Sequence, residues 1–128
     1  MLRRISAILA GLIAFAILEF IAVQVAKVSW PAYALAAPTR AYTLEMLLAR
    51  QAVGMFCALM AGATAAWVSR DSQLTVIITG VIMLLIAVIW HALIWYQYPV
   101  WYHLFFFAYL VPLAMLGGRM VYLSGREL

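Results

Sequence analysis

Four long runs of apolar residues follow one another along this chain of 128 residues. A helix needs ~20 mostly apolar residues to cross the hydrocarbon core of a bilayer. Apolar residues make up 70% of the chain and charged residues 9%, whereas soluble domains have about 45–50% and about 25%. This composition excludes a soluble globular enzyme, a disordered chain and a disulfide scaffold, and it predicts an integral membrane protein.

The apolar runs predict four transmembrane helices, at about residues 5–26, 44–68, 74–96 and 100–121. Four spans with their short connections use nearly the whole length, so we expect one integral membrane domain over residues 1–128. Its fold class is all-α, a four-transmembrane-helix bundle made of two antiparallel hairpins. The first run follows two arginines, as in a signal peptide, but it is longer than the ~7–15 apolar residues of such a segment, which favours a retained helix.

The first loop, between the first two spans, contains two prolines and several aromatic residues. Pro31 and Pro38 argue against a continuous helix there. Trp30, Tyr33 and Tyr42 suit the aromatic belt at the headgroup surface. Thr43 has the residue type and position of an N-cap for the second span.

Basic residues are distributed unequally between the two ends of the predicted bundle. The end that carries the termini has five, and the opposite end has two: Arg3, Arg4, Arg70, Arg119 and Arg126 against Lys27 and Arg40. Because loops rich in Lys and Arg stay in the cytoplasm, we expect both termini to be cytoplasmic and the protein to lie in a bacterial inner membrane. The net charge of +4 comes from scattered cations, which predicts contact with the lipid bilayer and its anionic headgroups and not with nucleic acid.

Ionisable residues inside the spans are the strongest functional candidates, because each costs about 2.5–3.5 kcal/mol on insertion scales. Three of them lie towards the outer ends of their helices, with two further polar residues at a similar level. This predicted intramembrane polar cluster consists of Glu19, Arg50, His91, Gln51 and His103. A structural ion pair between Glu19 and Arg50 is one interpretation; a proton relay or a substrate counter-ion at Glu19 is the other.

Small residues at intervals of four follow Arg50 along the second span. Gly54, Ala58 and Gly62 form a stripe on which transmembrane helices can approach closely. The stripe predicts a packed helix face, within one chain or between two chains.

Aromatic residues are dense around the turn between the last two spans. They are Trp90, Trp95, Tyr96, Tyr98, Trp101 and Tyr102. They fit the aromatic belt, or alternatively the mouth of a lipid-binding site. His91 and His103 flank the same turn and could hold a metal or haem iron. Since no cysteine or carboxylate lies at ligand spacing, we expect no metal and no cofactor.

The segment Pro99-Val-Trp-Tyr-His103, with Pro112 and Leu116-Gly-Gly-Arg119 after it, resembles a group of small bacterial four-helix inner-membrane proteins. The resemblance spans nearly the whole chain and implies the fold and the inner-membrane location. The chain is also similar in length and span number to small multidrug resistance exporters, which carry an essential glutamate in the first helix, where this chain has Ala16-Ile-Leu-Glu19. Their other substrate-lining motifs have no match here.

These patterns favour a non-enzymatic accessory or structural membrane component, as a homodimer or in a larger membrane complex. A proton-coupled multidrug-type transporter that acts as a dimer through Glu19 is the first alternative. A haem- or quinone-associated membrane subunit that uses His91 and His103 is the second. No nucleophile elbow, HExxH motif or phosphate-binding glycine loop is present in the sequence.

The charge asymmetry predicts the outcome of cysteine labelling in intact cells. A cysteine in the first loop (Ala36→Cys) should react with a membrane-impermeant maleimide added from the periplasm, and one near the C-terminus (Ser124→Cys) should not. Labelling of the Ser124→Cys variant in intact cells would overturn the orientation.

Overall fold

The computed structural model describes residues 1–70 and 73–126, apart from the side chain of Arg126. Of the five basic residues predicted at the end that carries the termini, Arg126 therefore lies outside the described side chains. Within these residues the secondary structure is entirely helical. The elements are α1 (Leu2–Ser29), α2 (Pro31–Ala36), α3 (Leu44–Ser69), α4 (Gln73–Leu93), a 3₁₀ turn (Trp95–Gln97) and α5 (Val100–Arg126).

Helices α1, α3, α4 and α5 are each long and apolar enough to cross a membrane, which confirms the prediction of four long apolar helices. Both α1 and α5 continue several residues beyond the predicted limits. The prediction ended each span where apolar residues end, but a helix satisfies its own backbone hydrogen bonds and can continue into the polar layer. Helix α4 ends at Leu93, earlier than predicted, because the chain tightens into the 3₁₀ turn.

The first loop contains a short helix that the sequence did not predict. Pro31 interrupts α1 as expected, but it also occupies the first position of α2, where proline has no intrahelical hydrogen bond to lose. The capping role of Thr43 is confirmed, because its hydroxyl accepts a hydrogen bond from the backbone N–H of Met46 at 3.4 Å. Helix α2 therefore lies between α1 and α3 and positions Tyr33, which is buried.

The four long helices form a bundle in which α3 packs against α1, α4 and α5. Nε of Arg3 donates to the carbonyl of Val68 at 2.9 Å, so the start of α1 lies beside the end of α3. Val121 and Tyr122 of α5 pack at this same end against a core cluster that includes Ala65 and Ala66 of α3 and Val76 of α4. We call it the termini end. The opposite, loop end holds α2 and the 3₁₀ turn.

The small-residue stripe of α3 packs within the chain. A Cβ atom at Gly62 would overlap the backbone of Ala114 in α5, and one at Gly54 would meet the hydroxyl of Tyr109. Ala58 is fully buried and belongs to a cluster with Leu110. Helices α3 and α5 therefore approach at backbone contact, and the stripe is the reason that they can.

Replacement of Gly62 tests this packing. Gly62→Leu should lower the folded yield and the Tm in detergent, because the added side chain meets backbone that cannot rotate away; overpacking costs about 1–3 kcal/mol or more. Ala52→Leu, on the exposed side of the same helix, is the matched control and should melt like wild type. Equal melting of the two variants would place the stripe on a lipid-facing surface.

Candidate functional site

The guanidinium of Arg50 lies among four tyrosines at the loop end. Its Nη1 donates to the hydroxyl of Tyr33 at 2.5 Å, and its Nε donates to the hydroxyl of Tyr102 at 3.2 Å. Its carbon Cζ lies 5.1 Å from the ring centre of Tyr42 and 5.8 Å from that of Tyr98. Aromatic faces attract a cation at such distances. We call Tyr33, Tyr42, Tyr98 and Tyr102 the tyrosine cage.

The tyrosine cage also holds the loop end together. Its rings stack in a row, with centres 5.1 Å apart for Tyr33 and Tyr42, 6.0 Å for Tyr42 and Tyr98, and 4.8 Å for Tyr98 and Tyr102. The row connects α2, the segment before α3, and the start of α5. Burial raises the pKa of Tyr42 to about 12, with a smaller contribution from a hydrogen bond with Tyr33. The hydroxyl of Tyr42 is therefore neutral at physiological pH.

Glu19 does not form the expected direct ion pair with Arg50. Its Oε2 atom is buried and has no hydrogen-bond partner, and its carboxyl lies beside the thiol of Cys57. The charge of Arg50 acts on this carboxyl electrostatically, but the groups that the guanidinium binds are tyrosine hydroxyls. The sequence did not predict that tyrosine hydroxyls bind Arg50, because it did not predict α2, the helix that carries Tyr33.

The two histidines bind each other. Nδ1 of His91 lies 2.7 Å from Nδ1 of His103, and Nε2 of His103 lies 3.0 Å from the carbonyl oxygen of Trp95. Both rings are buried. Haem ligation by this pair requires an iron between two ring nitrogens, whereas here the facing nitrogens share a hydrogen bond. The pair is therefore a structural link between α4 and α5 with one ring nitrogen left over, Nε2 of His91.

Gln51 ties α3 to α5. Its Nε2 donates to the backbone carbonyl of Tyr102 at 2.8 Å, and its Oε1 is buried without a partner. The hydroxyl of Tyr109 is likewise buried without a partner. The polar cluster is thus larger than predicted and extends deeper into the bundle.

A cavity of about 330 Å³ lies beside the cluster, between α1, α4 and α5. This volume is within the usual ~300–1,000 Å³ of small-molecule sites. Its polar side is formed by Glu19, Arg50 and His91, and the rest is largely apolar and aromatic. The exposed residues Ala16 and Trp90 also line it, so it opens sideways between α1 and α4, on a surface that faces lipid in a membrane.

The predicted aromatic turn divides into four groups. Tyr98 and Tyr102 belong to the tyrosine cage, and Trp90 lines the cavity. Trp95 stacks on His103 with ring centres 4.4 Å apart. Tyr96 and Trp101 are exposed, as belt residues are. The cluster includes four residues that the sequence reading gave no site role: Tyr33, Tyr42, Cys57 and Tyr109.

Compared with protein-family models, with curated proteins and with solved structures, the chain shows no significant match to any of them. The resemblance to small bacterial four-helix proteins therefore stays a prediction, and the functional argument depends on the site itself.

Two double-mutant cycles compare the partners of Arg50. One pairs Arg50→Met with Tyr33→Phe, and the other pairs Arg50→Met with Glu19→Gln. Mutations of two groups in contact show a coupling free energy of about 0.5–3 kcal/mol. The effects of mutations at separated groups add to within about 0.3–0.5 kcal/mol. We expect Arg50 to show the larger coupling with Tyr33. The coupling is obtained from the free energies of unfolding of the single and double variants in mixed micelles. A larger coupling with Glu19 would restore the direct ion pair.

Proposed function

We propose that this chain is a non-enzymatic accessory component of a bacterial inner membrane that holds an amphiphilic molecule in the cavity between α1 and α4. Both termini face the cytoplasm in this proposal, so the tyrosine cage and the cavity lie in the outer leaflet. The ligand enters from the bilayer through the gap between α1 and α4. The protein acts alone, as a homodimer, or within a larger membrane complex.

The observation that carries the proposal is the division of the cavity walls. Glu19, Arg50 and His91 stand together at one side, and apolar residues such as Leu12, Met83 and Leu110 form the rest. A site of this kind suits a molecule with a polar head and an apolar tail. The lateral opening supports entry from lipid, since a water-soluble ligand would need an aqueous path.

The internal bonding of the cluster favours binding over catalysis. Arg50 is bound by two tyrosine hydroxyls, and the histidines are bound to each other and to a backbone carbonyl. Such contacts fix the groups in place. The carboxyl of Glu19 lies inside its own bundle, beside Cys57 of α3, which gives no support to a transporter dimer formed around it. The quinone alternative gains support from the position of His91 at the cavity wall.

Photolabelling tests the proposal. The protein in lipid nanodiscs is irradiated with a long-chain alcohol that carries a diazirine on its tail, and the labelled residues are mapped by mass spectrometry. We expect label on Leu110, which is fully buried from the outer surface but lines the cavity. Lipid-facing Leu104, which is exposed, is labelled in any case.

A tryptophan at the mouth of the cavity provides the matched comparison. Ala16→Trp should abolish the label on Leu110 by closing the entrance, because Ala16 is exposed and lines the cavity. Ala108→Trp, on an exposed face of α5, should leave it unchanged. Label confined to exposed residues such as Leu104 in the wild type would refute the proposed function.

A further inference from the structure

We propose that the cavity binds the aromatic head of a lipid-soluble hydroquinone, and that it binds this reduced form more tightly than the quinone. The inference rests on the proposed function and names the ligand of the same site. It concerns binding alone, so no electron or proton leaves the ligand. The polar wall carries it: Nε2 of His91, Oε2 of Glu19 and three N–H groups of Arg50 have no hydrogen-bond partner among the described residues, and all three residues line the cavity.

The hydrogen bonds of the two histidines determine which nitrogen of His91 is free to accept. The carbonyl of Trp95 can only accept, so His103 carries its proton on Nε2, 3.0 Å away. A neutral His103 then accepts at Nδ1, and Nδ1 of His91, 2.7 Å away, donates to it. Both rings are buried, and the hydrogen bond between the two Nδ1 atoms needs one acceptor, so the two rings cannot both be charged. Nε2 of a neutral His91 is therefore an acceptor.

Glu19 supplies a second acceptor. Its Oε2 is buried without a hydrogen-bond partner, and the residue lines the same cavity as His91. An unpaired buried carboxyl oxygen costs free energy that a donor on a ligand would recover.

Arg50 supplies the donors. A guanidinium has five N–H groups, of which one donates to Tyr33 and one to Tyr102. The remaining three have no hydrogen-bond acceptor among the described residues, and Arg50 also lines the cavity. The ligand head must therefore both donate and accept.

Hydroquinone hydroxyls meet this requirement, because each can donate and accept. They donate to His91 and Glu19 and accept from Arg50. The oxidised quinone has only acceptor oxygens and leaves Nε2 of His91 and Oε2 of Glu19 unpaired. A fatty-acid carboxylate also lacks a donor for these two acceptors. The ligand class that fits the polar wall thus carries hydroxyl groups.

The remaining walls of the cavity fit a flat ring with an apolar tail. Phe15, Trp90 and Phe106 line it, and aromatic rings pack well in offset or edge-to-face contact with a ligand ring. The tail leaves through the gap between α1 and α4 into lipid. An aliphatic alcohol would use the apolar walls but would leave most of the polar groups unpaired.

Competition with the photolabel tests the inference. Decylhydroquinone and decylbenzoquinone, each added anaerobically to nanodiscs, compete with the diazirine alcohol for labelling of Leu110. We expect the hydroquinone to reach half-inhibition at a concentration about tenfold lower or more, given the usual cost of unpaired buried acceptors. His91→Phe should raise the half-inhibitory concentration of the hydroquinone about tenfold and change that of the quinone less than twofold. The ratio of the two half-inhibitory concentrations then comes close to one.

The comparison of two ligands within one variant separates binding from folding. Tyr96→Phe, at a fully exposed ring, is the control and should keep the wild-type ratio. If His91→Phe does not fold, Glu19→Gln replaces it and should also reduce the ratio. Equal competition by the two forms, stronger competition by decanoate, or labelling of Leu110 that neither form reduces would overturn the inference. In that last case Leu110 is still labelled, so the proposed function stands.

Discussion

The guanidinium of Arg50 sets the arrangement of the whole loop end. A charge within a membrane span is tolerated only where it finds acceptors and polarisable neighbours. Arg50 finds them in two tyrosine hydroxyls and two tyrosine rings, and these come from α2, the segment before α3, and the start of α5. The interaction therefore links three parts of the chain that apolar packing alone would leave loosely connected.

This arrangement also explains why polar groups remain free beside the cavity. Because tyrosine hydroxyls bind Arg50, Glu19 does not form an ion pair with it, and Oε2 of Glu19 has no hydrogen-bond partner. Because the histidines bind each other through their Nδ1 atoms, Nε2 of His91 has no hydrogen-bond partner among the described residues, and His91 lines the cavity. Close contact of α3 with α5 at Gly62 and Gly117 joins these two helices at backbone distance. The cavity beside the polar cluster opens between α1 and α4.

The sequence predicted the bundle well because a bilayer imposes a simple requirement of length and apolarity. It also predicted the N-cap at Thr43 and the packing role of Gly54, Ala58 and Gly62. It did not predict the partners of Arg50, because Tyr33 lies on a short helix that begins at a proline, and Pro31 was interpreted only as a helix breaker. The contact between His91 and His103 was anticipated as proximity across a turn, but the direct bond depends on ring orientations that residue spacing does not specify.

Solid-state NMR in lipid bilayers tests the central claim, the binding of Arg50 by tyrosines, most directly. Protein with ¹⁵N-labelled arginine side chains and ¹³C-labelled tyrosine is measured for dipolar contact between guanidinium nitrogens and tyrosine Cζ atoms. The account predicts a close contact that weakens in Tyr33→Phe, which removes one labelled ring, and disappears in Arg50→Met. Unchanged contact in Arg50→Met, or dephasing of the Arg50 nitrogens by a labelled Glu19 carboxyl in place of tyrosine, would contradict it.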